Sequence, residues 1–556
     1  MKSLVLDEMK KLSLTDLELL LQEYEAGRVT IDELALAVIT TCEHDTELFS
    51  AFFFPHYCKH AFNAFHYGEF EHYRERKTKV RRASVAPRGY AKSTITALIK
   101  PIHDLCYGLE RYIVIFSNRD DQAVGKLRDI RNELLGNPLL VAIYGIRFDR
   151  AKPAESSFKA YSDRGAIKYE AYGANSEIRG IRDGDARPSK IVLDDIEHSE
   201  EVDNEALRSK LEAKFNDVIA KLGDENTSYY FVGTILHRKS LLQGKLDNPM
   251  YDGHKYKSVI SWSDNEHLWE EWRGILRDKG DPQRFDKSLA FYHANEAAML
   301  QGTEVLWPEK EPYLYLMQEL FETGKRSFMK EKQNEPIGSD EKIFQTILWY
   351  HESEQDGKRG ILIEQTKVFI PFAHMRAYAV MDPATGQTKA KAGRLGDFTC
   401  IILGLVDPHG RLFVHSDWTK RVAPSVYIEK VLEYADEKIP VEKFGIETNL
   451  YRNLLLPNLI DARKRREKER KKIVKIPFYD IETVENKEKR IYTLEPKLTN
   501  GWILFNRALS QEFVGQVEDF PKADHDDCPD ALEMLWGLVN NRYGMHSVGL
   551  NPMDGR

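Results

Sequence analysis

Apolar and polar positions alternate along this chain in two different orders. Residues 1 to about 45 carry helical spacing, as one or two amphipathic helices: Thr15 precedes "DLELLLQEYEAG", and Gly27 stands where a C-terminal cap is expected. From about residue 80 to 240, short apolar runs alternate with helical stretches. "RRASVA", "YIVIFS", "KIVLDD" and "YYFVGTI" predict buried strands, and "KSTITALIKPIHDLCYG" predicts the helix after the first of them. Continuous apolar strands separated by helices imply a parallel sheet covered on both faces.

Residues 245 to 345 are mixed and helix-rich, as in a helical lid region. The texture changes through "IGSDEKIF" and "VFIPFAH", which places a boundary near residue 345. Beyond it "AYAVMD" predicts a strand, and "FTCIILGLVD" with "RLFVHSDW" a hairpin around Pro408-His409-Gly410. "SVYIEKVLEYADEK" predicts a helix and "KFGIET" a strand. A basic helix, the strand "IVKIPFY", the short strand "GWILF" and a helix after "DHDDCPD" follow. Three strands, then helix, strand, helix, strand, helix is the chain order of an RNase H-like fold. The expected organisation is therefore an N-terminal helical segment (1–45), an α/β P-loop domain with a parallel sheet (46–345) and an RNase H-like domain (346–556).

Composition narrows the class. At 556 residues the chain exceeds one ordinary core. It has no apolar run of membrane-spanning length, and its start lacks the apolar core of a signal peptide. Five scattered cysteines (Cys42, Cys58, Cys106, Cys400, Cys528) predict reduced thiols in a cytoplasmic compartment. The net charge of −8 gives no bulk attraction for nucleic acid, so any such binding must be local.

The first candidate site is "VAPRGYAKST", residues 85–94, between a predicted strand and a predicted helix. That context turns backbone N–H groups and a helix N-terminus toward phosphate. Lys92 would reach the β- and γ-phosphates, and Ser93, followed by Thr94, would hold Mg²⁺. Gly89 supplies flexibility. Ala91 stands where the usual loop has its second glycine, and is expected to fit with φ negative. Arg88 adds a second cation. About 100 residues later "KIVLDDIEHSEEV" ends a buried strand in Asp194-Asp195, with Glu197 two on. A carboxylate there suits the metal side of a nucleotide site. Asp194 is assigned that role, and Asp195 or Glu197 the orienting of the attacking water. "YYFVGTILH" ends in Gly233-Thr234, followed by His237, and places Thr234 to sense the γ-phosphate.

In these stretches the chain resembles the large terminase subunit of tailed bacteriophages, the DNA-packaging motor. "APRGYAKST" is similar to its deviant Walker A loop, "RGIRDGDARPSKIVLDDIE" to the approach to Walker B, "VGTILH" to its coupling motif, and "FMKEKQNEPI" to the end of its ATPase part. The resemblance makes Arg88 and Ala91 expected, and offers Arg179, Arg182 and Arg187 as sources of a transition-state arginine. It extends through "MDPATGQTKAKAGRLGDFTCIILG", "FGIETN" and "HDDCPDALEML".

Those last stretches put carboxylates at three element ends: Asp382, Glu447, and Asp526-Asp527 with Asp530 one turn on. An RNase H-like fold brings such ends together. Phosphodiester cleavage needs that, because two divalent ions about 4 Å apart activate water and stabilise the leaving oxygen. Hard carboxylate oxygens hold Mg²⁺ or Mn²⁺. Within the last helix Asp527 is preferred as ligand, then Asp530, with Asp397 as an outer candidate.

The resemblance implies an ATPase and metal-dependent endonuclease using ATP and Mg²⁺. Its partners would be double-stranded DNA, a small terminase subunit and the portal of the procapsid, as a ring of about five subunits. It would act in the host bacterial cytoplasm and transiently at the portal vertex, outside the mature virion and without a membrane. Two rivals are a non-packaging helicase or repair nuclease, and an inactive prophage remnant that only binds DNA or portal. Intact Lys92, Asp194, Asp382 and Glu447 argue against the remnant. Two weaker signals remain. His56, Cys58, His60, His66 and His72 cluster without zinc-ligand spacing, which favours an aromatic segment beside the nucleotide core. The run 463–472, eight basic residues in ten, is either a phosphate grip or a solvated helix face.

Overall fold

In β2 (Tyr112–Ser117), β6 (Lys190–Asp194) and β7 (Ser228–Gly233) every residue is buried, as the unbroken apolar runs require. In this computed structural model the described residues are 12–75, 77–149, 154–178, 180–338, 342–344, 346–383, 398–447, 452–471, 476–483, 485–523 and 525–543. The chain divides into two compact units: Met1–Trp262 with Gly302–Met317 and Arg326–Gly338, and Ser263–Gln301 with Gln318–Lys325 and Ser339–Arg556.

The first unit is built on an eight-stranded sheet that also contains β1 (Arg81–Val85), β3 (Arg147–Phe148), β4 (Ser157–Ser162), β5 (Gly165–Gly173) and β8 (Asp252–Lys255). The order is β3-β4-β5-β2-β6-β7-β1-β8. From β5 to β8 every neighbour is parallel, and β4 and β3 add on antiparallel. The C-terminal ends of β1, β7 and β6 therefore share one edge, with β7 between the other two. A two-stranded ribbon, β9 (Val259–Ser261) and β10 (Glu304–Val305), completes the strands of this unit.

Helices α1 (Leu14–Glu25), α2 (Ile31–Cys42) and α3 (Thr46–Phe53) bury Leu17, Leu34, Val38 and Phe49 in the core that also holds Ile102 and Ile130. The α1 N-cap is Ser13, whose capping box with Asp16 starts the helix ahead of Thr15. Gly27 follows its end at φ +71°, as a C-terminal glycine should. α4 (Ala64–Arg74) precedes β1. After β1 the helix opens as a π-helical segment, Thr94–Ile99, and continues as α5 (Lys100–Tyr107). The Lys100 N–H bonds Ile95 O, the five-residue step of a π turn, immediately before Pro101, which has no N–H to offer the Ala97 carbonyl. α6 (Asp120–Gly136) follows β2, and the short α7 (Leu241–Leu246) follows β7.

The second unit contains α8 (Glu266–Arg277) and α9 (Arg284–Met299) and a nine-stranded sheet. Its strands are β11 (Leu348–Gln355), β12 (Lys358–Ile363), β13 (Phe369–Pro371), β14 (Arg376–Asp382), β15 (Thr399–Val406), β16 (Leu412–Lys420), β17 (Val441–Glu447), β18 (Phe478–Ile481) and β19 (Ile503–Asn506). The order is β13-β12-β11-β19-β16-β15-β14-β17-β18. β14, β15 and β16 form an antiparallel meander, and β17 and β18 run parallel to β14. This is the RNase H-like core, extended beyond β16 by β19 and the β11–β13 meander. Gly410 turns the β15–β16 hairpin at φ +81°. α10 (Pro424–Glu433) and α11 (Arg452–Arg470) cover one face through Ile428, Leu459 and Ala462. α12 (Lys487–Tyr492) and α13 (Asp527–Val539) cover the other, with Ile491, Leu532 and Leu535 against Val380 and Ile402.

Candidate active sites

The parallel register carries the first site. Val85 pairs with Gly233 and Val232 with Asp194, so the loop, Thr234 and Asp194 emerge side by side. Lys92 is buried and donates to Pro87 O at 3.1 Å and to Thr234 Oγ1 at 3.0 Å. Burial pulls its pKa below the usual lysine range, against the pull of Asp195 and Asp194. The Ser93 hydroxyl donates to Asp194 Oδ1 at 2.9 Å, and the Lys126 ammonium to Asp194 Oδ2. Asp194 is itself fully buried. A hydroxyl and a carboxylate meeting beside this loop are a hard-oxygen donor set that suits Mg²⁺.

The loop backbone takes two left-handed residues, Gly89 at φ +88° and Ala91 at φ +55°. The expectation of negative φ at Ala91 is thus corrected. The turn needs the left-handed conformation, and alanine adopts it at a cost of about 1–2 kcal/mol. Asp195 also has positive φ, +47°, which aspartate tolerates better than most residues. It is exposed and lines a small pocket with Glu197, Gly233 and Thr234.

Glu197 is buried, and its two oxygens accept the N–H groups of Leu241 at 2.7 Å and Leu242 at 3.0 Å. It holds the start of α7, so Asp195 is the carboxylate turned to the open side. Arg88 is exposed, 3.8 Å from Glu331 Oε2, and its backbone N–H bonds Glu331 O. Thr94 begins the π-helical segment. Arg187 donates to the carbonyls of Lys221 and Leu222, Arg182 is exposed, and Arg179 lies outside the described residues. The "KQNEPI" stretch also reaches this edge. Asn334 accepts the Ile235 N–H at 3.0 Å and donates to Tyr256 O at 2.9 Å.

The histidines do not converge on one ion. His66 lies 3.0 Å from Tyr90 O, His56 pairs with Glu133, and His72 faces Asp252 at 3.8 Å. Burial lowers His66 to about 4, so it packs as a neutral ring. Its segment seats Tyr90 against Trp307, ring centres 5.3 Å apart, on the protein side of the loop.

In the second unit Asp382 and Glu447 end the neighbouring parallel strands β14 and β17, and α13 crosses that end of the sheet. Asp382, Glu447 and Asp530 bring carboxylate oxygens within 4.8 Å of one another. Asp530 is the member of α13 that joins the other two. Asp527, preferred from the sequence, accepts the Phe398 N–H at 3.1 Å instead. Asp526 meets Lys487 at 2.8 Å, and Asp397 lies outside the described residues. Burial and the charges of Glu447, Asp530 and Asp527 push Asp382 well above the carboxylate range, although Lys487 opposes them. Burial raises Asp530 to about 6, with Lys487 and Arg490 opposing and Glu447 adding. Carboxylates crowded this closely fit a divalent cation, which removes the repulsion.

Two cations here were not foreseen. Lys487 lies 3.4 Å from Asp530, and Arg490 lies 2.7 Å from both Asp530 and Glu533. Burial disfavours the Lys487 charge, but Asp530, Asp382 and Asp526 outweigh it and hold the ammonium above the lysine range. Half of the basic run is ion-paired. Arg466 and Arg470 meet Asp436, Arg465 faces Glu429, and Arg463 pairs with Glu467, while Lys464, Lys468 and Lys471 are exposed and Lys472 lies outside the described residues.

No family model matches the chain, and no curated protein matches it. Solved structures do, and terminases are among them. The large terminase of a thermophilic bacteriophage matches at 9% identity and a TM-score of 0.40, over 86% of this chain and 99% of that one. The HK97 bacteriophage large terminase matches at 12% identity and 0.26, over 82% and 90%. The human cytomegalovirus terminase nuclease domain matches at 10% identity and 0.25, over 32% and 90%. The likeness is distant throughout.

Proposed function

We propose that the chain is the motor and nuclease subunit of a viral DNA-packaging machine. ATP hydrolysis in the first unit drives double-stranded DNA into a procapsid, and a divalent-metal endonuclease in the second cuts the concatemeric genome. The observation that carries this reading is the pairing on one chain of two separate sites. One is a phosphate-binding loop joined to a strand-end carboxylate through Ser93 and Asp194; the other is the Asp382, Glu447 and Asp530 cluster. The motif resemblance supplies the connection to packaging.

In the ATPase, Gly89, Lys92, Ser93 and Thr94 with Arg88 cradle the triphosphate, and Ser93 with Asp194 holds Mg²⁺. Asp195 orients the attacking water, and Thr234, already bonded to Lys92, senses the γ-phosphate. Glu197 anchors α7. In the nuclease, Asp382, Glu447 and Asp530 hold the ions, and Asp527 and Asp526 border them. When bound, Mg²⁺ or Mn²⁺ supplies an activated water and charge stabilisation at the leaving oxygen. The functional division near residue 345, the DNA, small-subunit and portal partners, the ring and the cytoplasmic site of action belong to the same proposal. Among the described residues no helix is long and apolar enough to cross a membrane.

The test combines purified chain, portal-bearing procapsids, small subunit, linear DNA and ATP. Packaging predicts DNA that becomes resistant to added nuclease only with ATP and procapsids. ATP-dependent strand separation without such protection would establish the helicase alternative instead.

A further inference from the structure

Asp194 is wholly buried, and a buried carboxylate must have both oxygens satisfied. The obvious cation, Lys92, is turned away to Pro87 O and Thr234 Oγ1. Lys126 of α6 takes the Oδ2 atom of Asp194, and the Ser93 hydroxyl takes Oδ1. Lys126 is partly open to solvent, at 20% side-chain exposure against 0% for Asp194, so it closes the outer side of the carboxylate.

The direction of Lys126 is set by how α6 is seated. Asp120, the first residue of the helix, accepts the Gly173 N–H at 2.7 Å and the Ser176 hydroxyl. A Cβ on Gly173 would fall 2.6 Å from Asp120 N, so only glycine lets the helix start lie flush against the end of β5. Lys126 follows six residues on, about 9 Å along the helix axis, opposite the end of β6.

We propose that Lys126 is a positioning residue of the nucleotide site: its ammonium holds one oxygen of Asp194 so that the other stays turned toward the Ser93 hydroxyl. The inference rests on the ATPase reading above. A carboxylate free to rotate about its last bond would present its oxygens to Ser93 only part of the time. Locking it pre-organises the cation-binding pair and strengthens the coupling between Mg²⁺ and nucleotide, without touching the nucleotide directly. A methionine at 126 keeps the length and apolar stem of lysine and removes the charge.

The experiment measures binding of a fluorescent ADP analogue to the full chain, in EDTA and in excess Mg²⁺, for wild type, Lys126→Met and Lys126→Arg. Circular dichroism checks the fold, and Lys126→Gln replaces the methionine variant if that variant does not fold. Expected are EDTA affinities within about twofold of wild type for all variants, a Mg²⁺-dependent gain that falls about tenfold in Lys126→Met, and retention of most of that gain in Lys126→Arg. A full gain in Lys126→Met overturns the inference, and so does an equal loss in the methionine and arginine variants, which would mean packing rather than charge. Tighter Mg²⁺-dependent binding in Lys126→Met also overturns it, since Lys126 would then compete with the cation. A wild-type chain that binds no nucleotide at all would remove the ATPase reading, a separate outcome.

Discussion

Ser93 donates its hydroxyl to Asp194 across 2.9 Å, although 101 positions separate them in the chain. The contact exists because β1 and β6 run parallel with one strand between them, and it joins the loop after β1 to the carboxylate that ends β6.

Lys92→Ala is expected to reduce ATP hydrolysis by on the order of 10²–10³-fold, since the lysine is the buried cation of the loop. DNA cleavage should be spared. Phosphate release and plasmid nicking, measured on one preparation, check both halves. Near-normal ATPase in the variant would refute the assignment of the loop.

Asp195 and Glu197 should separate cleanly. Asp195→Asn is expected to bind nucleotide with Mg²⁺ and turn over poorly. Glu197→Gln loses an anion that accepts two backbone N–H groups at the start of α7, at a cost of about 1–2 kcal/mol. Its signature is a lower unfolding midpoint, not a selective loss of turnover. The reverse pattern would make Glu197 the water-orienting group.

Ala91→Gly should stabilise the first unit by about 0.5–1 kcal/mol. Relief of the φ +55° strain exceeds the extra freedom glycine gives the unfolded chain. Ala91→Val should destabilise it by more. Denaturant midpoints of the three proteins decide the matter, and a less stable glycine variant would contradict the left-handed turn.

Asp382→Ala should abolish DNA cleavage while leaving ATP hydrolysis intact, and excess metal should rescue it poorly. Wild-type cleavage should stop in EDTA and return with Mg²⁺ or Mn²⁺, with Ca²⁺ supporting little chemistry. A plasmid digest reads all of these. Activity that persists in EDTA, after contaminating nucleases are excluded, would move the active site elsewhere.

The crowded carboxylates predict a metal-dependent pH response. Asp530 titrates at about 6, above its unfolded value of 3.8, so its stability contribution is complete below the unfolded value and is lost as pH rises through 6. In EDTA the second unit should therefore gain, from this group, roughly 2 kcal/mol between pH 7 and pH 4 relative to Asp530→Asn. Saturating Mn²⁺ should erase that difference. Thermal unfolding of both proteins across this range, with and without metal, is the measurement. Parallel curves in EDTA would show that Asp530 is not crowded.

The sequence by itself determined both fold classes and singled out most of the residues proposed for the two sites, because their signals are local. Buried strands read as apolar runs, the phosphate loop lies within ten residues, and acidic residues at strand ends mark themselves. Tertiary structure decided what depends on partners far along the chain. Asp530 rather than Asp527 meets Asp382 and Glu447, since the crossing of α13 over the sheet sets which turn faces inward. Glu197 caps α7, 44 positions away, which no spacing rule anticipates. Ala91 adopts positive φ because the turn that follows Gly89 requires it, where the residue type alone argued the opposite. Lys126 and Lys487 carried no motif in sequence, since a lysine on an amphipathic helix is ordinarily solvated. Each was drawn to a buried carboxylate by electrostatics that exist only once the strands have brought those carboxylates together.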